Sequence, residues 1–218
     1  GAVIPQHTLQ QLITLADRHD FVIASDECYS EIYFDEDKPP VGLLQAAAAM
    51  GNTDFHRCVV FHSLSKRSNA PGLRSGFVAG DAQLLAGFLR YRTYHGCALP
   101  VQHQHASIAA WRDEEHVCEN RRLYREKFAA VLEVLDDCLD VTQPDAGFYL
   151  WPRTPISDEE FARALYAEQH VTVLPGRYLS RDVDGFNPGA GHVRMALVAE
   201  PAECIEAAHR IRQFVQSL

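Results

Sequence analysis

Two short apolar runs, each ending in a cluster of polar side chains, limit what this chain can fold into. Phe21-Val22-Ile23-Ala24-Ser25 leads into Asp26-Glu27-Cys28-Tyr29, and Cys58-Val59-Val60-Phe61 leads into His62-Ser63-Leu64-Ser65-Lys66. Apolar runs of this length bounded by polar segments read as short buried strands. A helical pattern precedes each. Pro5 to Asp20 carries Leu9, Leu12, Ile13 and Ala16 at helical spacing, with Pro5 suited to the first turn, and alanine-rich Val41–Met50 is closed by Gly51-Asn52. Helices alternating with strands predict an α/β fold.

The alternation continues. Ser75–Ala79 reads as another strand closed by Gly80, and Asp81 as the cap of a helix with Leu84, Leu85, Phe88 and Leu89 on one face. Tyr91 to Pro100 reads as irregular and Val101–Trp111 as helix. The charged segment Asp113 to Lys127 then runs into Phe128, Ala129, Val131, Leu132 and Leu135. Its length predicts one long helix joining two domains, with the boundary near Glu119–Arg122, hence domains at 1–120 and 121–218. The second reads as a small α+β domain. Its elements are strand Phe148–Trp151, helix Ser157–Gln169 with a Ser157/Glu160 capping box, strands Val171–Leu174 and His192–Leu197, and helix Pro201–Val215.

Composition removes several function classes. A net charge of -9 argues against nucleic acid, whose phosphates would be repelled. No apolar run approaches the roughly 20 residues that span a bilayer, and Gly1-Ala-Val-Ile-Pro has neither the basic start nor the apolar core of a signal peptide. Six scattered cysteines without a C-x-x-C pair point to reduced thiols and a cytoplasmic protein. His103 and His105 stand two apart and would diverge on a helix, so no metal is expected.

Lysine is scarce, and that isolates one candidate. Of 20 Lys and Arg residues only Lys38, Lys66 and Lys127 are lysines. Lys38 lies in a polar Asp-Lys-Pro-Pro loop and Lys127 in a charged helix, whereas Lys66 follows Ser63 and Ser65 and precedes Arg74 by eight residues. A lysine at a strand end among small polar groups suits a Schiff base. Its amine must lose a proton before attacking a carbonyl, and partial burial near other cations favours that. Asp26 ends the upstream strand, where alone it reads equally as an acid capping a turn.

In order, Ser25-Asp26-Glu27-Cys28-Tyr29, Ser63-Leu64-Ser65-Lys66 and Gly72-Leu73-Arg74-Ser75-Gly76 resemble the fold-type I, class I/II aminotransferases that use pyridoxal 5'-phosphate. The resemblance covers essentially the whole chain. It implies the C-terminal half of a large cofactor-binding domain with a mostly parallel sheet, followed by a small α+β domain. It further implies that Lys66 holds the cofactor and carries the proton at the substrate α-carbon, that Asp26 pairs with the pyridinium nitrogen, and that Tyr29 bonds the phenolic oxygen. Ser63, Ser65 and Arg74 would clamp the phosphate. Arg194, in His192-Val-Arg-Met-Ala-Leu, matches the family's substrate-carboxylate arginine. An internal salt bridge is the other reading of it, because a lone desolvated guanidinium is costly. Gly147-Phe148 and Pro175-Gly176 match the family's small-domain turns.

Arg177-Tyr-Leu-Ser-Arg181 and Asn187-Pro-Gly-Ala-Gly-His-Val-Arg194 narrow the resemblance to the N-succinyldiaminopimelate aminotransferases of bacterial lysine and diaminopimelate biosynthesis. That implies glutamate and 2-oxoglutarate as the donor pair, N-succinyl-2-amino-6-ketopimelate as acceptor, and a homodimer. Other readings stay open: another aminotransferase specificity or a C–S lyase on the same scaffold, a non-catalytic aminotransferase-like sensor domain, or a fragment without activity. Gly1-Ala-Val-Ile-Pro5 resembles the tail of the family's Asn-Pro-x-Gly turn. The resemblance therefore implies a second polypeptide, the N-terminal half. It would supply the asparagine, the glycine-rich phosphate loop, the ring-stacking aromatic and the opening strands.

Overall fold

A computed structural model describes all 218 residues. The chain divides into two compact units, Ala2–Arg121 and Arg122–Leu218, the latter including Gly1.

Helix α1 (Gln6–His19) opens the first unit and turns Leu9, Ile13 and Ala16 inward, one helical turn apart. Asp20, in the left-handed region, ends it by donating its N–H to Ala16 O. Strand β1 (Ile23–Asp26) follows, then α2 (Leu43–Ala49), β2 (Cys58–Ser63) and the one-turn helix α3 (Leu64–Arg67). Leu9 and Ile13 of α1 meet Leu43, Ala46 and Ala47 of α2 over Cys58 and Val60 of β2. Burying a Leu or Ile side chain contributes about 1.5–3 kcal/mol, so this cluster holds both helices on the sheet.

Strand β3 (Gly76–Gly80) completes a sheet of order β1-β2-β3. The β1–β2 ladder is parallel and the β2–β3 ladder antiparallel. The expected α/β class is found, and the portion of sheet in this chain is mixed. Two glycines permit the antiparallel pairing: a Cβ on Gly76 would stand 2.3 Å from His62 O, and one on Gly80 2.0 Å from Cys58 O.

Helix α4 (Ala82–His95) starts at Asp81, whose carboxylate accepts from the N–H groups of Gln83 (2.8 Å) and Leu84 (3.3 Å). It outruns the sequence expectation. Tyr91–His95, read as irregular, are helical, and Thr93 ties its hydroxyl back to Leu89 O at 2.9 Å. Helix α5 (Val101–Arg112) and then α6 (Glu115–Leu135) follow, and the division between the units falls inside α6.

In the second unit, β4 (Tyr149–Leu150), α7 (Asp158–Gln169), β5 (Leu174–Pro175), β6 (Val193–Ala196) and α8 (Pro201–Ser217) follow in order. The strands form an antiparallel sheet of order β4-β6-β5. Phe161 of α7 meets Phe214 of α8 edge-on, with centroids 5.3 Å apart. The strand expected at Val171–Leu174 forms only at Leu174–Pro175. The Ser157/Glu160 capping box does not form, since Ser157 makes no side-chain cap bond. The neighbouring Asp158 carboxylate anchors this turn instead, accepting from Arg177 N–H (3.0 Å), Arg177 Nε (2.9 Å) and Gly191 N–H (3.3 Å). No helix is long and apolar enough to cross a membrane.

Candidate active site

The site grows from the parallel ladder. Ile23, Ala24, Ser25 and Asp26 pair with Cys58, Val59, Val60 and Phe61, and Glu27 N–H donates to Phe61 O at 2.9 Å. Parallel strands end at one edge, so Asp26 and Glu27 at the end of β1 and the Ser-Leu-Ser-Lys segment at the end of β2 emerge side by side. Crevices outside the carboxyl ends of such strands are where α/β sheets bind ligands.

The two adjacent acids separate by environment. Glu27 turns into the structure, accepting from Leu43 N–H at 2.8 Å and lying 3.3 Å from His62 Nε2. Burial pushes its carboxyl up, but bonds from His62, Leu43 N–H and Ser25 outweigh that and hold it below the usual range. Glu27 is therefore a fixed structural anion that starts α2. Asp26 stays at the strand edge, where its Oδ1 accepts from Cys28 N–H at 3.1 Å and shapes the turn leading to Tyr29.

On the neighbouring strand end, Ser63 caps α3, its hydroxyl oxygen accepting from Ser65 N–H at 3.0 Å. This one-turn helix carries Ser65 and Lys66, and Lys66 Nζ lies 5.7 Å from the Tyr29 ring centroid. Leu64 N–H donates to Ser75 O at 3.0 Å and Ser63 pairs with Gly76, which brings Arg74 to the same edge. Arg74 takes a left-handed backbone (φ 53) at the end of the 3-10 turn Pro71–Leu73 and donates from Nη1 to Pro71 O at 2.8 Å.

Asp26, Tyr29, Ser63, Ser65, Lys66 and Arg74 thus share one end of one sheet. Arg194 belongs to the other unit. It lies on β6 opposite Leu174, its guanidinium 4.5 Å above the Tyr149 ring. An aromatic face, not the carboxylate of a salt bridge, meets it there.

Two features escaped sequence reasoning. Cys28 lies among the candidate residues. Its thiol is pushed up first by burial and next by the Asp26 carboxylate, while Ser63 and Lys66 act in the opposite sense. Its place between the acid and the tyrosine was the available signal. The second is Arg67, buried although it follows Lys66 directly, which donates to Ala110 O at 2.9 Å and pairs with Glu114. Both partners lie more than forty residues away, beyond any local pattern.

The donor set fits a phosphorylated pyridine aldehyde. One carboxylate suits a ring nitrogen, one amine an aldehyde, one phenol a phenolic oxygen, and two hydroxyls with a guanidinium a phosphate dianion.

The set stands at the strand ends of an α/β sheet, the edge where sheets of this class bind ligands. The profile of the aminotransferase class I and II family matches residues 1–211. The chain belongs to that family, whose members use pyridoxal 5'-phosphate. It is 33% identical over 206 residues to an LL-diaminopimelate aminotransferase of Maridesulfovibrio salexigens, covering 92% of this chain and 50% of that protein. Among solved structures it resembles an aminotransferase from Neisseria meningitidis (54% identity, TM-score 0.91, 97% of this chain and 54% of that one). It also resembles a probable N-succinyldiaminopimelate aminotransferase from Thermus thermophilus (31% identity, TM-score 0.83, 98% and 55%). The chain spans about half the length of these relatives.

Proposed function

We propose that the protein containing this chain is a pyridoxal-phosphate aminotransferase. In this reading it moves the amino group of glutamate to N-succinyl-2-amino-6-ketopimelate, with Ala2–Arg121 contributing half of the cofactor-binding domain. The carrying observation is the meeting of Asp26, Tyr29 and Lys66 at one sheet edge, with Nζ 5.7 Å from the phenol ring.

Bound pyridoxal phosphate supplies an aldehyde for an amine and a ring that withdraws electrons from the substrate Cα–H bond. The Asp26 carboxylate would hold a proton on the ring nitrogen and keep that withdrawal strong. The Tyr29 hydroxyl would donate to the phenolic oxygen. Lys66 Nζ would hold the aldehyde carbon and would carry the proton at the substrate Cα. Ser63, Ser65 and Arg74 would bind the phosphate, a hold on the cofactor that is independent of Lys66. Arg194 offers a planar fork to the substrate α-carboxylate.

Relatives named for LL-diaminopimelate and for N-succinyldiaminopimelate support a substrate of the diaminopimelate series. The test is kcat/KM of the natively purified protein for the N-succinylated keto acid with glutamate, against free LL-diaminopimelate with 2-oxoglutarate and against oxaloacetate with glutamate. The succinylated acceptor should lead by at least about tenfold. A lead by LL-diaminopimelate would move the assignment to the unsuccinylated substrate. Equal use of oxaloacetate would remove the diaminopimelate reading altogether.

A further inference from the structure

Lys66 is followed by three residues whose side chains all reach one distant stretch, 110–120. Arg67, 3% exposed, donates to Ala110 O, pairs with Glu114 and lies 5.0 Å over the Trp111 ring. Ser68 Oγ is 2.8 Å from His116 Nε2, and His116 Nδ1 is 2.9 Å from Asp113 Oδ2. Asn69, held at φ 49, bonds through Nδ2 to Asn120 Oδ1 at 2.8 Å. Asp113 is itself pinned, its Oδ1 accepting from Glu115 N–H at 2.9 Å.

A helix of four residues has almost no stability of its own, because nucleating a turn is unfavourable. The backbone bonds at the end of α3 run from Ser68 N–H (3.1 Å) and Ala70 N–H (3.3 Å) to Leu64 O. Tertiary clamps must therefore set where this turn points. Ser63 clamps its start and the 67–69 side chains clamp its end. In the neutral imidazole, His116 Nδ1–H donates to the Asp113 carboxylate and Nε2 is left to accept from the Ser68 hydroxyl.

We propose that Ser68, His116 and Asp113 form a positioning relay that fixes the end of α3 and with it the direction of the Lys66 side chain. The inference rests on reading Lys66 as the reacting amine. The acid–imidazole–hydroxyl order is also that of an activated nucleophile. Here the hydroxyl lies two residues from the amine that needs orienting, and both neighbours of Ser68 are bolted to the same stretch.

The test compares Ser68→Ala, His116→Ala, their double variant and Ser68→Thr in the natively purified protein. Hydrogen exchange at the Ser68 and Ala70 amides should rise about tenfold in each alanine variant. The double variant should rise no further than either single one, because the relay acts as a unit. Ser68→Thr, which keeps the hydroxyl, should restore protection. In protein loaded with pyridoxal phosphate, the pH midpoint of the cofactor absorbance should move in the alanine variants and return in Ser68→Thr. In the same variants kcat should fall by roughly ten- to a hundredfold at constant KM. Unchanged exchange at these two amides would overturn the relay, as would a uniform rise reaching Ile13 on α1. Labelling of Ser68 by a fluorophosphonate would replace the positioning role with a nucleophilic one. If no cofactor attaches to Lys66, the aminotransferase reading fails, and the exchange measurement still decides whether the relay fixes α3.

Discussion

Asp26 and Phe61 are partners at the last position of the parallel β1–β2 ladder. Under the proposed function, this pairing joins the two halves of the chemistry. It sets an acid two residues along from Ser63 on the adjacent strand, at the edge where Lys66 begins its turn.

Asp26→Asn tests the electrostatic half. The amide keeps an oxygen for Cys28 N–H, so the turn should survive and the melting temperature should barely move. Without a full negative charge the ring-nitrogen proton loses its partner, and turnover should fall at least about a hundredfold. Wild-type turnover in this variant would contradict the assigned role.

Glu27 gives a pH-dependent prediction of the opposite kind, structural and not catalytic. Its folded-state carboxyl lies below the ordinary value of 4.5 despite burial, because His62, Leu43 N–H and Ser25 bond the ionised form. A depressed acid contributes stability above its unfolded value and loses it as pH falls through the folded one. The natural protein should therefore weaken below about pH 4.5. Glu27→Gln should be less stable at neutral pH by about 1–2 kcal/mol, with a flatter acid limb. Urea titrations between pH 3 and 7, taken here as roughly the window that spans the linkage, would show the two curves converging. Parallel curves would rule this out.

Gly76→Ala should destabilise by about 1–3 kcal/mol, because its Cβ would meet His62 O at 2.3 Å and Ser63 Cβ at 3.2 Å. Gly87→Ala, inside α4 with nothing within 4 Å, is the matched control and should be neutral to stabilising. Thermal melts of the two variants should separate in that order.

What the sequence disclosed was local. Asp81 as the start of α4, the periodic face of α1 and the strand before Lys66 follow from spacing within about a dozen residues. Where local signals ran out, distant pairing decided. Ser157 had the residue type of a cap, but Asp158 was recruited by Arg177 and Gly191, nineteen and thirty-three residues on. Polar Thr93 and Tyr94 hid the last turn of α4, where the Thr93 hydroxyl is taken up by Leu89 O within the helix. At the site, adjacent Asp26 and Glu27 could not be told apart by type. Only the approach of His62 and Leu43 made one of them structural. The 67–69 anchors were illegible for the same reason, since each reaches across more than forty residues.

The central claim is that Lys66 is the amine that holds the cofactor. The other two lysines have different surroundings. Lys38 is exposed and pairs with Asp35 at 3.2 Å, while Lys127 is buried, 4.2 Å from the Tyr124 ring centroid, with Nζ donating to Ala199 O. The direct measurement is borohydride reduction of the natively purified, pyridoxal-phosphate-loaded protein, followed by peptide mass analysis. The added cofactor mass should sit on Lys66 alone, and Lys66→Ala should carry no label and lose turnover by orders of magnitude. Label on Lys38 or Lys127 in place of Lys66, or full turnover in Lys66→Ala, would contradict the account.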